Sequence, residues 1–316
     1  MEEVSGNGEE LNALEQKAER LTEATKRQQP EFSDFEGERQ ISQRMIEKDK
    51  EWLAEREKIF EEEGGYEDRF ERQAEPIMVA RFNRRGMFGA RNTFAFMASR
   101  YDDVHTETDV VLGVFDREED RAAVFSVDAT TATSEETIQD KFKRSAEFDY
   151  ASSIHYCKYG DSKWSELDGV PHFVVGMMPS RTDDALEKIE IDESGNVTAK
   201  RDLDTDFKLM SEIFEQCQLQ IAHLEEYART GELRGYEEAN LKDLKDIQRI
   251  AYARLGQILG AKKVEDLKPL MTEKYPAEKK RLAEDITYAE ILKETWRRRK
   301  QLAGKATGKA AGKNWK

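Results

Sequence analysis

DVVLGVFDREEDRAAVFSV, residues 109–127, decides the fold. Asp109–Phe115 and Ala122–Val127 are apolar and rich in β-branched and aromatic side chains, and only six residues separate them. Runs of that composition bounded by charged residues read as strands. A parallel neighbour needs a crossover of about a dozen residues, so the two are expected as adjacent antiparallel strands of one sheet. Ile154–Tyr159 (IHYCKY) and Val170–Met177 (VPHFVVGM) read as two further strands. Between the pairs, Thr133-Ser-Glu-Glu136 is a capping-box pattern, and Ile138, Phe142 and Ala146 follow at four-residue spacing, which predicts a helix of about three turns. The order of strands and helix gives a mixed α+β fold, a small central sheet flanked by helices.

Outward from this centre the period changes from two to three and four. Leu203, Phe207, Met210, Phe214, Cys217, Ile221, Leu224 and Ala228 form one apolar seam, predicting a long helix that covers the sheet or zips against a partner. Its Phe, Met and Cys favour the sheet. Leu244, Ile247, Ala251, Leu255 and Ile258 mark a second helix, with breaks expected at Gly260 and Pro276. Upstream, Leu11, Leu14, Ala18 and Leu21 mark one amphipathic helix; Met45/Ile46, Trp52/Leu53 and Ile59/Phe60 mark another, stopped by Gly64 and Gly65. The organisation read from this is an acidic helical extension over 1–75, an α/β core over 76–230, a helical region over 231–295 and a disordered basic tail over 296–316.

The chain has 316 residues and a net charge of −15, with 37% charged and 38% hydrophobic residues. That balance argues against coating nucleic acid along its whole length, so any contact with DNA or RNA has to be local. Residues 1–75 hold 12 basic and 23 acidic residues, and residues 296–316 hold 8 basic and none acidic. The run Arg297-Arg-Arg-Lys300 followed by Gly-, Ala- and Lys-rich sequence reads as disordered, with lysines spaced to touch phosphates or acidic surfaces. Two cysteines, Cys157 and Cys217, make no disulfide framework, and neither a leader nor a membrane-spanning run is apparent, so a reducing cytoplasm and no membrane partner are expected.

Asp109 opens one strand and Asp128 closes the next, and adjacent strands bring both to one sheet edge. Lys141, three residues after Ile138, can reach the same edge from the helix. Two carboxylates and a lysine suit metal-assisted phosphodiester hydrolysis: the carboxylates hold Mg²⁺, the metal polarises the phosphate and the lysine steadies a developing hydroxide. The competing reading is a pair of strand-end aspartates capping turns. The histidines, His105, His155, His172 and His223, show no zinc-module spacing and read as ordinary packed residues.

Tyr101-Asp-Asp103, Asp109-Val-Val-Leu, Val127-Asp-Ala-Thr130, Asp140-Lys-Phe-Lys-Arg144 and Gly169–Gly176 resemble, in order, uncharacterised proteins of candidate-phyla bacteria that look like distant members of the PD-(D/E)XK, or restriction-endonuclease-like, superfamily. The resemblance covers Tyr101 to Ala228. It implies a nuclease core, active or degenerate, with Asp109 as first acid, Asp128 as second and Lys141 as a lysine moved onto the following helix. Thr108 replaces the proline before the first acid, and Thr130 stands where the usual lysine would be. The glutamate of the preceding helix would come from Glu67, Glu71 or Glu75, or Asp103 would substitute as a metal ligand.

Pro76–Tyr101 carries Arg81, Arg84, Arg85, Arg91 and Arg100 without an acid, interleaved with Phe82, Phe88, Phe94 and Phe96. Arginine for phosphate and phenylalanine for stacking is a nucleic-acid footprint. The alternative is a helix with Phe94 and Met97 packed inward and its arginines paired with the acidic N-terminal segment. Two function classes follow: a Mg²⁺-dependent nuclease or its nucleic-acid-binding relative, and a non-enzymatic interaction or scaffold protein whose amphipathic helices recruit protein partners.

Overall fold

The computed structural model describes residues 4–312 apart from 39–41, 63–68, 89–92, 117–120, 148, 160–161 and 231–234. Its centre is a five-stranded mixed sheet in the order β1-β2-β3-β5-β4. β2 (Val110–Asp116) and β3 (Arg121–Thr130) pair antiparallel with Val110 opposite Val127, as the short link between them requires. β1 (Thr93–Met97) adds antiparallel to the other edge of β2. Gly113 of β2 lies against the Phe94 ring of β1, where a Cβ would come within 2.0 Å of it. After α5 (Glu135–Glu147), β4 (Ala151–Tyr159) and β5 (Ser162–Gly176) form an antiparallel pair. The last residues of β5 then run parallel to β3, His172 opposite Ser126 and Asp128 opposite Val174. The fold is mixed α+β, as the alternating run of strands and helix predicts.

The long seam forms α7 (Leu203–Thr230), which packs on β5, on α8 (Gly235–Ile258) and on α10 (Ile286–Gly312). It covers the sheet. It also completes it: beyond Pro171 the edge of β5 has no strand partner, and α7 supplies side chains in its place. Gln220 donates to His172 O, Gln216 bonds both N and O of Val174, and Glu212 accepts from Gly176 N. Those three residues stand four apart on one helix face. Buried backbone groups need partners, and this row satisfies them. On the next helix, Thr287 and Ile291 of α10 lie so close to Gly176 that a Cβ there would meet them at 2.4 and 2.6 Å.

Upstream, α1 (Val4–Lys26) packs on α3 (Arg69–Phe82) and on α6 (Pro179–Glu187). α2 (Gln43–Glu62) packs on α4 (Arg100–Thr106) through an aromatic cluster in which Trp52 meets Tyr101 at 5.4 Å and Phe32 meets Tyr156 at 5.0 Å. A short ribbon, β6 (Ile189–Ile191) and β7 (Val197–Ala199), and a further helix, α9 (Leu267–Leu282), complete the set.

Four local expectations change. The boundary placed after Glu75 falls inside α3, which runs through Pro76. Thr93–Met97 is a strand rather than a stacking surface or a helix, because its phenylalanines pack against Gly113, Phe115 and each other. Gly260 does end α8, with φ of +103°, but Pro276 sits within α9, whose Tyr275 is anchored on Phe207 and Phe214. The basic segment expected to lack structure continues α10 as far as Gly312. Its alanines and lysines are strong helix formers, and extending an existing helix carries no nucleation cost. Arg297 and Arg298 close on Glu294, and Arg299 on Glu215. No helix among the described residues is long and apolar enough to cross a membrane.

Candidate functional site

The register that sets Val110 opposite Val127 sets Asp109 across from Asp128. Asp109 N donates to Val127 O at 3.0 Å, and Asp109 Oδ2 accepts from Ala129 N at 2.6 Å, continuing the ladder past the end of β2. Asp128 lies on the face that α5 covers and is 1% exposed. The helix starts where Ser134 caps Thr137 N at 3.1 Å, and from its second turn Lys141 Nζ reaches Asp128 Oδ1 at 2.6 Å. Asp128 Oδ2 is buried and has no partner.

Two more acids join them. Ser99 caps α4 by accepting from Asp102 N, and this short helix carries Asp103 toward the pair while Arg100 of the same turn closes on Asp103. Glu75 projects from α3. The carboxyls influence each other directly: burial first, then Glu75, Asp128 and Asp103, raise Asp109 well above the usual carboxylate range. Burial, then Asp103, push Glu75 up to about 8. Burial also raises Asp103 against the opposing pull of Arg100. At Lys141 burial disfavours the ammonium, but Asp128 and Asp109 overcome it and the pKa rises. Among the described residues, neither Glu75 nor Asp109 has a cationic side chain within 4.0 Å, whereas Asp128 and Asp103 each have one.

Sequence reasoning therefore brings Asp109, Asp128, Asp103 and Lys141 into one neighbourhood, and of the three upstream glutamates Glu75 joins them. Glu67 lies outside the described residues, as does the side chain of Glu71. The oxygen-only donor set suits a hard divalent cation. No group of three or more His, Cys, Asp or Glu side chains among the described residues is arranged as a ready coordination shell. The acids are instead held by Lys141, by Arg100 and by Ala129 N.

The arginine stretch serves a different purpose. Arg81 is 0% exposed and donates to Lys200 O and Ala185 O, beside Asp202. Arg84 bonds Asp206 at 2.5 Å, and Arg254 of α8 reaches the same carboxylate at 3.4 Å. Arg81 thus ties α3 to α6 and to the turn before α7, Arg84 ties the residues just past α3 to α7, and neither is available to a polyanion. Arg85 is exposed, and Arg91 lies outside the described residues. Charge alone could not separate the two uses, since the acids that claim Arg81 and Arg84 stand more than a hundred residues downstream.

One residue passed over in the sequence borders the acid cluster. His172, opposite Ser126 and 6% exposed, shares a hydrogen bond between its Nδ1 and Ser126 Oγ at 2.9 Å; burial lowers its pKa to about 4 although Asp128 opposes this. It is a neutral imidazole fixed at one nitrogen. Its cue was the alternation that sets residues 126 and 128 on one face.

No protein-family model, curated protein or solved structure matches the chain.

Proposed function

We propose that Glu75, Asp103, Asp109 and Asp128, with Lys141, form the centre of a divalent-cation-dependent phosphodiester hydrolase, Mg²⁺ being the natural ion for such oxygen donors. The observation that carries this reading is the second oxygen of Asp128, buried without a partner beside an ammonium on the first. An unpaired buried acceptor costs about 1–3 kcal/mol; Asp206 and Glu212 also carry one, and what sets Asp128 apart is that Asp109 stands across from it and that the charges of Glu75 and Asp103 act on the same pair. Burial and neighbouring carboxyls raise the pKa of both Glu75 and Asp109, so these are the groups that would exchange protons for a cation.

When bound, a divalent cation polarises a phosphoryl oxygen and acidifies a coordinated water. Asp109 and Asp128 would fix its position across the two strands. Lys141 keeps its proton and lies where it can neutralise charge developing on the phosphate. Asp103 is kept in place by Arg100 at the start of α4. The buried, unlinked Cys157 and Cys217 fit a reducing cytoplasm.

Titration calorimetry with Mg²⁺ and Mn²⁺, and hydrolysis of bis(p-nitrophenyl) phosphate, test the assignment. Asp128→Asn should abolish both cation binding and hydrolysis. Equal cation affinity in wild type and variant would remove the site and favour a degenerate core that acts as an interaction scaffold.

A further inference from the structure

A cavity of about 760 Å³ reaches His172, whose strand partner Ser126 stands two residues before Asp128 on the same face of β3. Glu107 and His172 line it, and both feel the charges of Asp128 and Lys141. Its rim gathers the unusual backbone of the molecule. Among the described residues, Glu107, Asp149 and Tyr150 are the non-glycine residues with left-handed φ, at 54°, 56° and 57°. Glu107 and Asp149 line the cavity, and the pairing irregularity between Ser152 and Ile154 of β4 forms another part of its wall. Strained backbone and bulges persist where surrounding structure holds them, and they concentrate at binding sites.

The lining has a definite chemistry. His105 and His155, whose rings meet edge to face with centroids 5.3 Å apart, place an aromatic pair on the lining, and Ser153 with Asp168, joined at 2.8 Å, offers acceptors for hydroxyl or amine hydrogens. Arg144, paired with Glu107, stands on the side nearer Lys141. Carboxylates outnumber cations in this lining, so a run of phosphates would be repelled from the cavity. Among the described residues, Arg81, Arg84 and Arg297–Arg299 are paired with acids of the fold and form no continuous basic track of the kind a polymer needs. Ligand cavities of this volume enclose one small molecule.

We infer that this cavity seats the sugar and base of a single nucleotide whose phosphate ester lies at the acid cluster, so that the substrate class is a nucleoside phosphate ester, free or at a strand end, and not the interior of a polymer. The inference rests on the hydrolase reading above. The oxygen of a water molecule forms the new bond to phosphorus and the ester P–O bond breaks. The departing alcohol carries away one proton of the water, and the other remains on the phosphate or passes to solvent. The cation is not consumed.

Calorimetry of the full chain with Mn²⁺, with and without Asp128→Asn, decides the cation reading by itself. Hydrolysis is then followed on the p-nitrophenyl ester of thymidine 5′-monophosphate, on an end-labelled linear single-stranded oligonucleotide, and on the same oligonucleotide closed into a circle. The ester should be turned over and the circle should resist. Stepwise shortening of the linear strand identifies a strand end as the source, and turnover of the ester alone identifies free nucleotides. Ser153→Trp, which fills the cavity, should slow the ester by roughly tenfold or more while Mn²⁺ affinity stays within about twofold. His155→Ala provides a second variant and should raise KM more than it lowers kcat; circular dichroism checks that each folds. Mn²⁺ binding without turnover of the ester, cleavage of the circle as fast as the linear strand, or indifference of both folded variants would overturn the cavity assignment and leave the cation site standing. Absence of Mn²⁺ binding overturns both.

Discussion

Lys141 holds only one of the two oxygens of Asp128, at 2.6 Å, and the other faces buried space with no donor. Lys141 is thus both a neutralising partner and a competitor for whatever else that carboxylate binds. Lys141→Met should leave Mn²⁺ affinity unchanged or tighter, because a competing ammonium is gone, and should lower hydrolysis of bis(p-nitrophenyl) phosphate by about 10²-fold or more. Titration calorimetry and steady-state rates on one preparation check both halves; a variant with full activity would strip Lys141 of its role.

Glu75 sets a pH dependence of stability. Its carboxyl goes from an ordinary 4.5 up to about 8 in the folded protein, through burial and the charge of Asp103. The folded state therefore holds a proton that the unfolded state has released, and this contribution is complete below about pH 4.5 and lost as pH rises to about 8. Without divalent cations, thermal stability should fall across that window, and Glu75→Gln should flatten the fall and raise Tm at pH 8. Thermal scans from pH 5 to 8 read this directly, and parallel curves for wild type and variant would contradict it.

Asp206 is fully buried between Arg84 and Arg254, with Arg81 nearby. Removing its charge strands buried guanidinium groups. Asp206→Asn should destabilise the fold by about 3–5 kcal/mol, measured by urea unfolding, without changing the affinity for short DNA or RNA. A loss of nucleic-acid binding in folded Arg84→Ala would restore the footprint reading of that stretch.

Gln216 stands in for a strand by bonding both backbone groups of Val174. Gln216→Leu keeps the volume and orphans both. The expected cost is about 2–4 kcal/mol in chemical denaturation, with faster amide exchange at Val174 than at Val127, whose own ladder is untouched.

The sheet's middle was legible because its cue is local: Asp109–Phe115 and Ala122–Val127 carry their pairing in a short link, and Ser134 marks the start of α5. β1 was not, since Phe94 and Phe96 make sense as strand residues only once Gly113 is known to lie against them. At the site, Asp109, Asp128 and Lys141 follow from alternation and helix spacing. Glu75 was only one of three candidates, because its approach depends on how α3 crosses the sheet. Arg81 and Arg84 misled for the mirror reason: their acids arrive from α7 and the turn before it, through tertiary packing that no local spacing encodes.

The row Gln220, Gln216, Glu212 works because two periodic structures nearly agree in length. Alternate residues of a strand repeat every 6.6 Å or so, and residues four apart on a helix every 6.0 Å or so. The difference, about 0.6 Å per step, is within the reach of a flexible amide but accumulates. Three rungs are about as many as the mismatch tolerates. The next positions on the row would set Leu224 beside Val170, and there the helix turns apolar while Ser152 of β4 takes over the pairing. The length of β4 and the place where the glutamine row stops are thus one measurement, made by the incommensurate pitch of a helix against a strand. Lengthening the sealed edge by a residue pair would require a real strand and not another glutamine.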